Sequence, residues 1–277
     1  MRDESATAGA FLNSQLSTDE SQLSVTFLGT GTSQGVPMIG CDCAVCHSAD
    51  PRDQRLRASI YINTPECAFV VDTGADFRTQ VLRENIRRID AVVFTHSHTD
   101  HIMGFDDLRR FSSFRGGMPV YASRATMHDL ERVFAFAFRG LNPFPGYLKP
   151  EPHLVNGPFD LGGTTITPLP VPHGKAEVYG YLFARRGKKL LAYLSDCSGV
   201  PDEIAELIRG VSVFVIDALR PLPHPTHLSV EQALEAAARV QPHRTLFTHI
   251  SHELPQTWEA NLSANTGIAY DGLKIEL

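Results

Sequence analysis

The chain has 277 residues, of which 43% are hydrophobic and 20% charged, with 21 glycines and 18 prolines. This composition is ordinary for a folded protein and excludes collagen, low-complexity disorder and a disulfide-stapled miniprotein. The formal net charge of −6 has the wrong sign for a protein that holds nucleic acid through its overall field, although it leaves room for a local basic patch.

The first 22 residues are polar and acidic and, after Met1, carry only three large apolar side chains, Phe11, Leu12 and Leu16. Such a segment cannot bury enough apolar surface to fold, so we predict a disordered or weakly docked tail over 1–22. It has no basic start followed by an apolar stretch, and no run reaches the roughly 20 apolar residues that cross a bilayer. The sequence therefore predicts a cytoplasmic protein without a membrane partner.

Short apolar runs that end abruptly in metal-binding or acid–base side chains recur along the rest of the chain. Strands of one sheet can deliver their ends to a common edge, so these side chains are expected to build one site. The pairs are 91–95 before His96, 165–171 before His173, 190–194 before Asp196, 211–216 before Asp217, and 245–248 before His249.

Helical patterns alternate with these runs. They cover 76 to about 88, 201–209 and 229–240, and the last opens with the Ser-Val-Glu-Gln spacing of a capping box at Ser229. A hairpin is predicted over 179–194, with its turn at 185–188. Because no change of composition marks a linker, we predict one α/β domain over 23–277.

The densest chemical signal is HSHTDH at residues 96–101. In an extended segment His96 and His98 point to the same side, whereas Asp100 and His101 diverge unless the chain turns. Three imidazoles and one carboxylate suit zinc, iron or manganese, and the nitrogen donors favour zinc. One loop could thus serve two metals. A polar surface loop is the simpler alternative, but the spacing and the scarcity of histidine argue against it.

A second signal is CDCAVC at residues 41–46. Five cysteines, an odd number, in a reducing compartment favour metal binding over disulfides. Cys41, Cys43 and Cys46 could hold one tetrahedral zinc ion with His252 as the fourth ligand, which would make a closed structural site. The alternative is a redox-active or merely buried thiol cluster.

The HxHxDH pattern after a strand resembles the signature of the metallo-β-lactamase superfamily. LGTGTSQGVP at 28–37, FVVDTG at 69–74 and the later histidines and aspartates follow in that family's order, so the resemblance covers nearly everything after the tail. The cysteine loop and the HxxH at 249–252 are similar to the subgroup that includes the phosphoribosyl 1,2-cyclic phosphate phosphodiesterase of phosphonate breakdown. The resemblance implies a single-domain αββα sandwich with two divalent ions, zinc or manganese, and one structural zinc.

The resemblance also implies a role for each residue. Asp72 would orient a ligand histidine from behind. His227 would contact the phosphoryl oxygen or protonate the leaving alkoxide, unless it is an ordinary loop histidine, and Asp100 is the second predicted catalytic residue. The implied ligands are His96, His98 and His173 for one metal, Asp100, His101 and His249 for the other, and Asp196 as the bridge.

Two divalent ions against the carboxylates of Asp100 and Asp196 leave local positive charge, which favours an anionic substrate. A water bridging the ions would become hydroxide near neutral pH and could attack a phosphodiester in line. We therefore predict a dinuclear metal-dependent phosphodiesterase for a small substrate, cyclic esters included. Nucleic acid is not an expected partner, and the sequence allows a homodimer.

Other activities compete with this prediction. A tRNA 3′-end processing endonuclease has a similar ligand set, but the basic arm that recruits RNA has no counterpart here. A pyrroloquinoline quinone biosynthesis protein, a binding or oxidative protein, shares the fold and the cysteine-rich loop. Flavo-diiron reductases usually have Glu in place of His98, and the cysteine loop and His227 argue against β-lactam hydrolysis. Arg52, Arg55 and Arg57 are either anion clamps or part of a solvated face. The insert 139–150 is either a lid or a long connection.

Overall fold

Two seven-stranded mixed sheets pack face to face in a computed structural model that describes residues 23–112, 116–140 and 146–277. The predicted tail over 1–22 and residues 141–145 of the 139–150 insert lie outside the described residues. The first sheet has the order β14-β1-β2-β3-β4-β5-β6. Its strands are β1 (Ser24–Gly29), β2 (Ser59–Asn63), β3 (Ala68–Val71), β4 (Ala91–Val93), β5 (Met118–Ala122), β6 (Pro150–Leu154) and β14 (Lys274–Glu276).

The second sheet has the order β13-β12-β11-β10-β9-β8-β7, with β10, β11, β12 and β13 parallel to one another. Parallel neighbours place their carboxyl ends at the same edge, which is where the polar side chains follow. Its strands are β7 (Phe159–Leu161), β8 (Thr164–His173), β9 (Ala176–Arg185), β10 (Lys188–Leu194), β11 (Val213–Asp217), β12 (Arg244–Thr248) and β13 (Thr266–Ile268).

Helices cover the outer faces of both sheets, so the layers run helix, sheet, sheet, helix and the predicted αββα sandwich is confirmed. None of the helices among the described residues is long and apolar enough to cross a membrane. The first sheet carries α1 (Phe77–Arg83), α2 (Thr99–Ile102), α3 (Arg109–Ser112), α4 (Arg124–Val133) and α5 (Ala135–Phe138), and the second carries α6 (Asp202–Leu207) and α7 (Val230–Val240). Short 3₁₀ turns cover Pro51–Asp53, Phe105–Leu108 and Gln256–Asn261.

The core between the sheets follows from the period of two along each strand. In β3, Phe69 and Val71 face this central core, whereas Val70 packs against the helices outside. In β10, Tyr193 faces the central core and Leu194 faces α6 and α7. Because each sheet is covered on both faces, these strands are apolar at nearly every position.

The predicted capping box is confirmed, since Ser229 Oγ accepts from the Gln232 amide and the Ser229 amide donates to Gln232 Oε1. The hairpin is also confirmed, with Arg186 and Gly187 at φ 49° and 78° in its turn. The predicted helix from 76 to about 88 is wrong in length, because α1 ends at Arg83 and the chain turns through Asn85 at φ 52°.

Candidate metal centre

The loop that follows β4 brings two imidazoles, those of His96 and His98, next to a third, His173, at the end of β8. His96, His98 and His173 each offer a nitrogen, and these atoms all lie within 4.8 Å of one another. His96 Nε2 and His98 Nδ1 are 2.9 Å apart. This is the first of the two predicted ligand groups, and it lies at the carboxyl edge of both sheets.

The second predicted group forms because the chain turns into α2 directly after His98. The turn carries Asp100 and His101 to the same place as Asp196, after β10, and His249, after β12. Asp196 lies between the two histidines, with Oδ2 3.2 Å from His101 Nε2 and Oδ1 3.0 Å from His249 Nε2. It also falls within 4.8 Å of a donor atom of His173. The structure therefore places Asp196 where a side chain shared by both groups would stand.

Hydrogen bonds from behind the site fix the histidine tautomers. His101 Nδ1 donates to Asp72 Oδ2 over 2.8 Å. The Thr95 hydroxyl donates to the same carboxylate and accepts from His96 Nδ1. His173 Nδ1 donates to the Thr226 carbonyl over 2.8 Å. In all three rings the Nε2 atom is thus left with the lone pair that a metal takes.

The buried donor atoms fit divalent cations. His101 Nε2, His249 Nε2 and Asp196 Oδ2 are buried and make no hydrogen bond with any residue of the described ranges. Burial opposes charge on Asp196, but His249 and His101 keep its pKa well below the usual range. Against burial, Asp196 and Asp100 raise the pKa of His249 to about 9. The site therefore attracts positive charge, and bound cations would take the place of those protons.

His227 lies at the rim of this centre, paired with Asp217 at the end of β11. His227 Nδ1 is 2.7 Å from Asp217 Oδ2, and its ring stacks on His249 at 4.7 Å between centroids. Burial raises the pKa of Asp217 well above its usual range and, together with His249, lowers the pKa of His227 to about 4. When Asp217 is protonated, its O–H donates a hydrogen bond to His227 Nδ1, and the single proton of the neutral imidazole is on Nε2. The pair can therefore present an N–H to the cluster.

The cysteine loop closes around His252, as the spacing predicts. Cys41, Cys43 and Cys46 Sγ lie 3.1, 3.4 and 3.8 Å from His252 Nδ1. The Cys46 amide donates to the sulfur of Cys43 and is the main reason that the pKa of Cys43 falls to about 6. Three sulfurs and one imidazole within 4.8 Å match a structural zinc set.

Comparison with known proteins decides the family. A family model described as a Beta-lactamase superfamily domain matches residues 68–250, two thirds of the chain and every member of the two ligand groups. The chain belongs to the metallo-β-lactamase superfamily. A crystal structure of a diphosphatase from the PhnP family is 43% identical, with a TM-score of 0.85 over 92% of this chain and 97% of that one. This neighbour supports a place in the PhnP-like subgroup of metallo-β-lactamase hydrolases.

Two further relatives extend this picture. An octanoyltransferase of Porphyromonas gingivalis is 34% identical over 253 residues, which are 89% of this chain and 50% of that protein. The chain thus spans about half the length of this curated relative. The structure of Zn²⁺-bound PqqB from Methylobacterium extorquens is 21% identical with a TM-score of 0.74, over 92% of this chain and 100% of that one, and shows the shared metallo-β-lactamase fold.

The three arginines after the cysteine loop have structural partners. Arg55 is 1% exposed and donates to Thr30 Oγ1, the Ala269 carbonyl and Gln256 Oε1, so it is neither an anion clamp nor part of a solvated face. Arg57 pairs with Asp76 at 2.9 Å. That contact also explains why Asp76 does not cap α1 through its side chain. Arg52 pairs locally with Asp50 at 2.7 Å.

Replacing Asp72 by asparagine should weaken metal binding at the active site by about 10–100-fold, as loss of an orienting partner does in other metal sites. An amide in place of the carboxylate can no longer serve His101 and Thr95 as a charged acceptor. Competition titration with a chelating dye measures the effect. Asp160→Asn is the control, because within the described ranges this exposed residue of β7 accepts only from the Gly163 amide of the following turn. Unchanged affinity in Asp72→Asn would contradict the orienting role.

Replacing Cys41 by serine should release the ion of the cysteine loop and lower the melting temperature by at least about 5 °C, since 1 kcal/mol corresponds to about 2–4 °C in a domain of this size. Elemental analysis and calorimetry measure the two effects. His47→Ala changes a side chain of the same loop that is 64% exposed and outside the cluster, and it should alter neither quantity. Equal metal content in Cys41→Ser and wild type would argue against the site.

Proposed function

We propose that the chain is a dinuclear metal-dependent hydrolase that cleaves a small phosphodiester, cyclic esters included. The observation that carries this proposal is the convergence of metal-donor side chains from four separate strand ends, those of β4, β8, β10 and β12, beside the His227–Asp217 pair. In this proposal the ligands are those of the sequence prediction, with Asp196 shared between the ions. When bound, two divalent ions would supply Lewis acidity and lower the pKa of a bound water.

The protein's own side chains supply the remaining chemistry. Asp72, Thr95 and the Thr226 carbonyl hold the ligand rings in one tautomer, so the donor set is pre-organised for its ions. His227 Nε2–H is proposed to protonate the leaving alkoxide while Asp217 passes its own proton to Nδ1, so that the imidazole stays neutral and Asp217 becomes a carboxylate. The ligand set has two carboxylates, Asp100 and Asp196, and its other members are imidazoles. Two divalent ions would therefore leave a net positive charge that attracts an anionic ester.

A second candidate bond is the P–O–P linkage of a diphosphate ester. The 43% identical neighbour is a diphosphatase of the PhnP family, and the same in-line attack at phosphorus would serve both bonds. The choice between the two bonds depends on whether the site can bind a second phosphoryl group in the leaving group.

The test is a substrate panel with metal-replete protein. Zinc- and manganese-loaded samples are assayed with bis(p-nitrophenyl) phosphate, 2′,3′-cyclic nucleotides, bis(p-nitrophenyl) diphosphate and a precursor tRNA with a 3′ trailer. We expect turnover of at least one small ester and about three metal ions per chain by elemental analysis. Cleavage of the tRNA alone would replace this proposal with the endonuclease, and no hydrolysis of any ester would overturn it.

A further inference from the structure

A cavity of about 190 Å³ is lined by His227 and by His252 of the cysteine-loop cluster, but by no member of the two active-site ligand groups. One wall is the turn Thr32 to Gly35 after β1, and the other is the loop between β11 and α7, including His224. The ring of His224 lies 5.2 Å from that of His227 between centroids. His224 has no role in the metal centre, so its position beside His227 calls for a separate account.

The backbone fixes which nitrogen of His224 carries the proton. The Thr226 amide donates to His224 Nδ1 over 3.3 Å, and an amide N–H can only donate. Nδ1 is therefore the acceptor, and in the neutral ring the proton sits on Nε2. Desolvation is the main factor that lowers the pKa of His224, and His227 and Arg220 lower it further. The ring is therefore neutral at pH 7. His224 is thus a fixed N–H donor.

The loop that carries His224 is rigidly tied to the metal centre. The same residue, Thr226, donates its amide to His224 and offers its carbonyl to the ligand His173. Arg220 holds the preceding turn through the carbonyls of Leu222 and Pro223. These bonds fix the distance between His224 and the scissile position.

The cavity favours a group that accepts hydrogen bonds. Arg220 and Glu253 both line it, but they pair with each other at 3.0 Å and cancel in charge. On the opposite wall, the amides of Ser33 and Gln34 make no hydrogen bond with any residue that the structure describes. The lining thus includes backbone amides that are free to donate, and the carboxylate of Glu253 is compensated by Arg220.

We propose that this cavity binds a second phosphoryl group, attached to the one that is attacked, and that His224 Nε2–H donates to its oxygen. The inference rests on the proposed function and selects the P–O–P bond as the preferred one. A diphosphate ester would place one phosphorus at the metals beside His227 and the next beside His224. A monophosphate diester would leave the cavity to its aryl or alkyl group.

The test compares two esters that differ by one phosphoryl group, bis(p-nitrophenyl) diphosphate and bis(p-nitrophenyl) phosphate. His224→Phe keeps a ring of similar size but loses the Nε2 donor and also the Nδ1 acceptor of the Thr226 amide, whereas His224→Gln keeps an N–H near the position of Nε2. We expect His224→Phe to raise KM for the diphosphate about 10–100-fold, as loss of a hydrogen bond to a charged group does, with kcat nearly unchanged. KM for the monophosphate should stay within about twofold in the same variant, because no donor is lost to that ester.

Three controls make the outcome decisive. His224→Gln should restore most of the affinity for the diphosphate, and His243→Ala, an exposed histidine at the opposite end of β12, should change neither ester. Metal content should be that of the wild type in all variants. Equal losses on both esters, or no loss on either, would overturn the role of His224. Hydrolysis of the monophosphate alone would overturn the second phosphoryl site but not the proposed function, whereas hydrolysis of neither ester would overturn that function itself.

Discussion

Replacing Asp196 by alanine is expected to abolish hydrolysis and to remove the active-site ions while leaving the ion of the cysteine loop. Asp196 is 2% exposed and contacts His101 and His249 through its two oxygens at 3.2 and 3.0 Å. Without it, the two ligand groups lose the carboxylate that lies between them, which is one of the two that retain cations. We expect kcat/KM to fall by more than about 1,000-fold, the scale of losing both the activated water and its charge stabilisation.

Elemental analysis on the same samples gives the second readout of Asp196→Ala. The metal content should fall from about three ions per chain to about one, because the cysteine site shares no ligand with the cluster. Asp202→Ala removes an aspartate whose side chain is 95% exposed on α6 and should leave both activity and metal content as in the wild type. Retention of two active-site ions with more than a tenth of the activity would refute the bridging assignment.

The sequence predicts most of the fold and of the donor set because an apolar run precedes each segment that carries donors. A run such as 190–194 identifies a buried strand, and the polar residue just beyond it, Asp196, must lie at the sheet edge. Several such runs in one sheet then imply one site. The turn after His98 adds Asp100 and His101, which a purely extended loop would send in opposite directions.

Contacts across long stretches of chain are what the sequence does not reveal. The partner of His173 is the carbonyl of Thr226, 53 residues away, and a carbonyl has no signature in the sequence. The role of Thr95 depends on Asp72, 23 residues away. Asp217 is among the strand-end residues that the sequence singles out, but its partner His227 becomes evident only when the loop closes.

Buried charged residues are the second feature that the sequence does not predict. Arg55 stands in a run of charged residues and has the sequence appearance of a surface side chain. It is nevertheless buried, because three acceptors from the turn after β1 and from the C-terminal part of the chain surround its guanidinium. Local composition cannot predict such a site, since all the acceptors are supplied by tertiary structure.

Replacing His227 by alanine should lower kcat by about 100–10,000-fold for substrates with poor leaving groups, the usual range for a lost general acid. The ring pairs with Asp217 at 2.7 Å and borders the cluster without belonging to either predicted ligand group, so metal content should stay at the wild-type level.

The dependence on the leaving group separates the two roles open to His227. If its Nε2–H protonates the leaving alkoxide, the loss should be large for alkyl esters and small for p-nitrophenyl esters, because nitrophenolate departs without a proton. Asp217→Asn should reproduce the trend in weaker form, since the ring would keep its place but lose its acidic partner. A uniform loss across all leaving groups would assign His227 to the phosphoryl oxygen instead, and unchanged kcat for every ester would remove it from the chemistry.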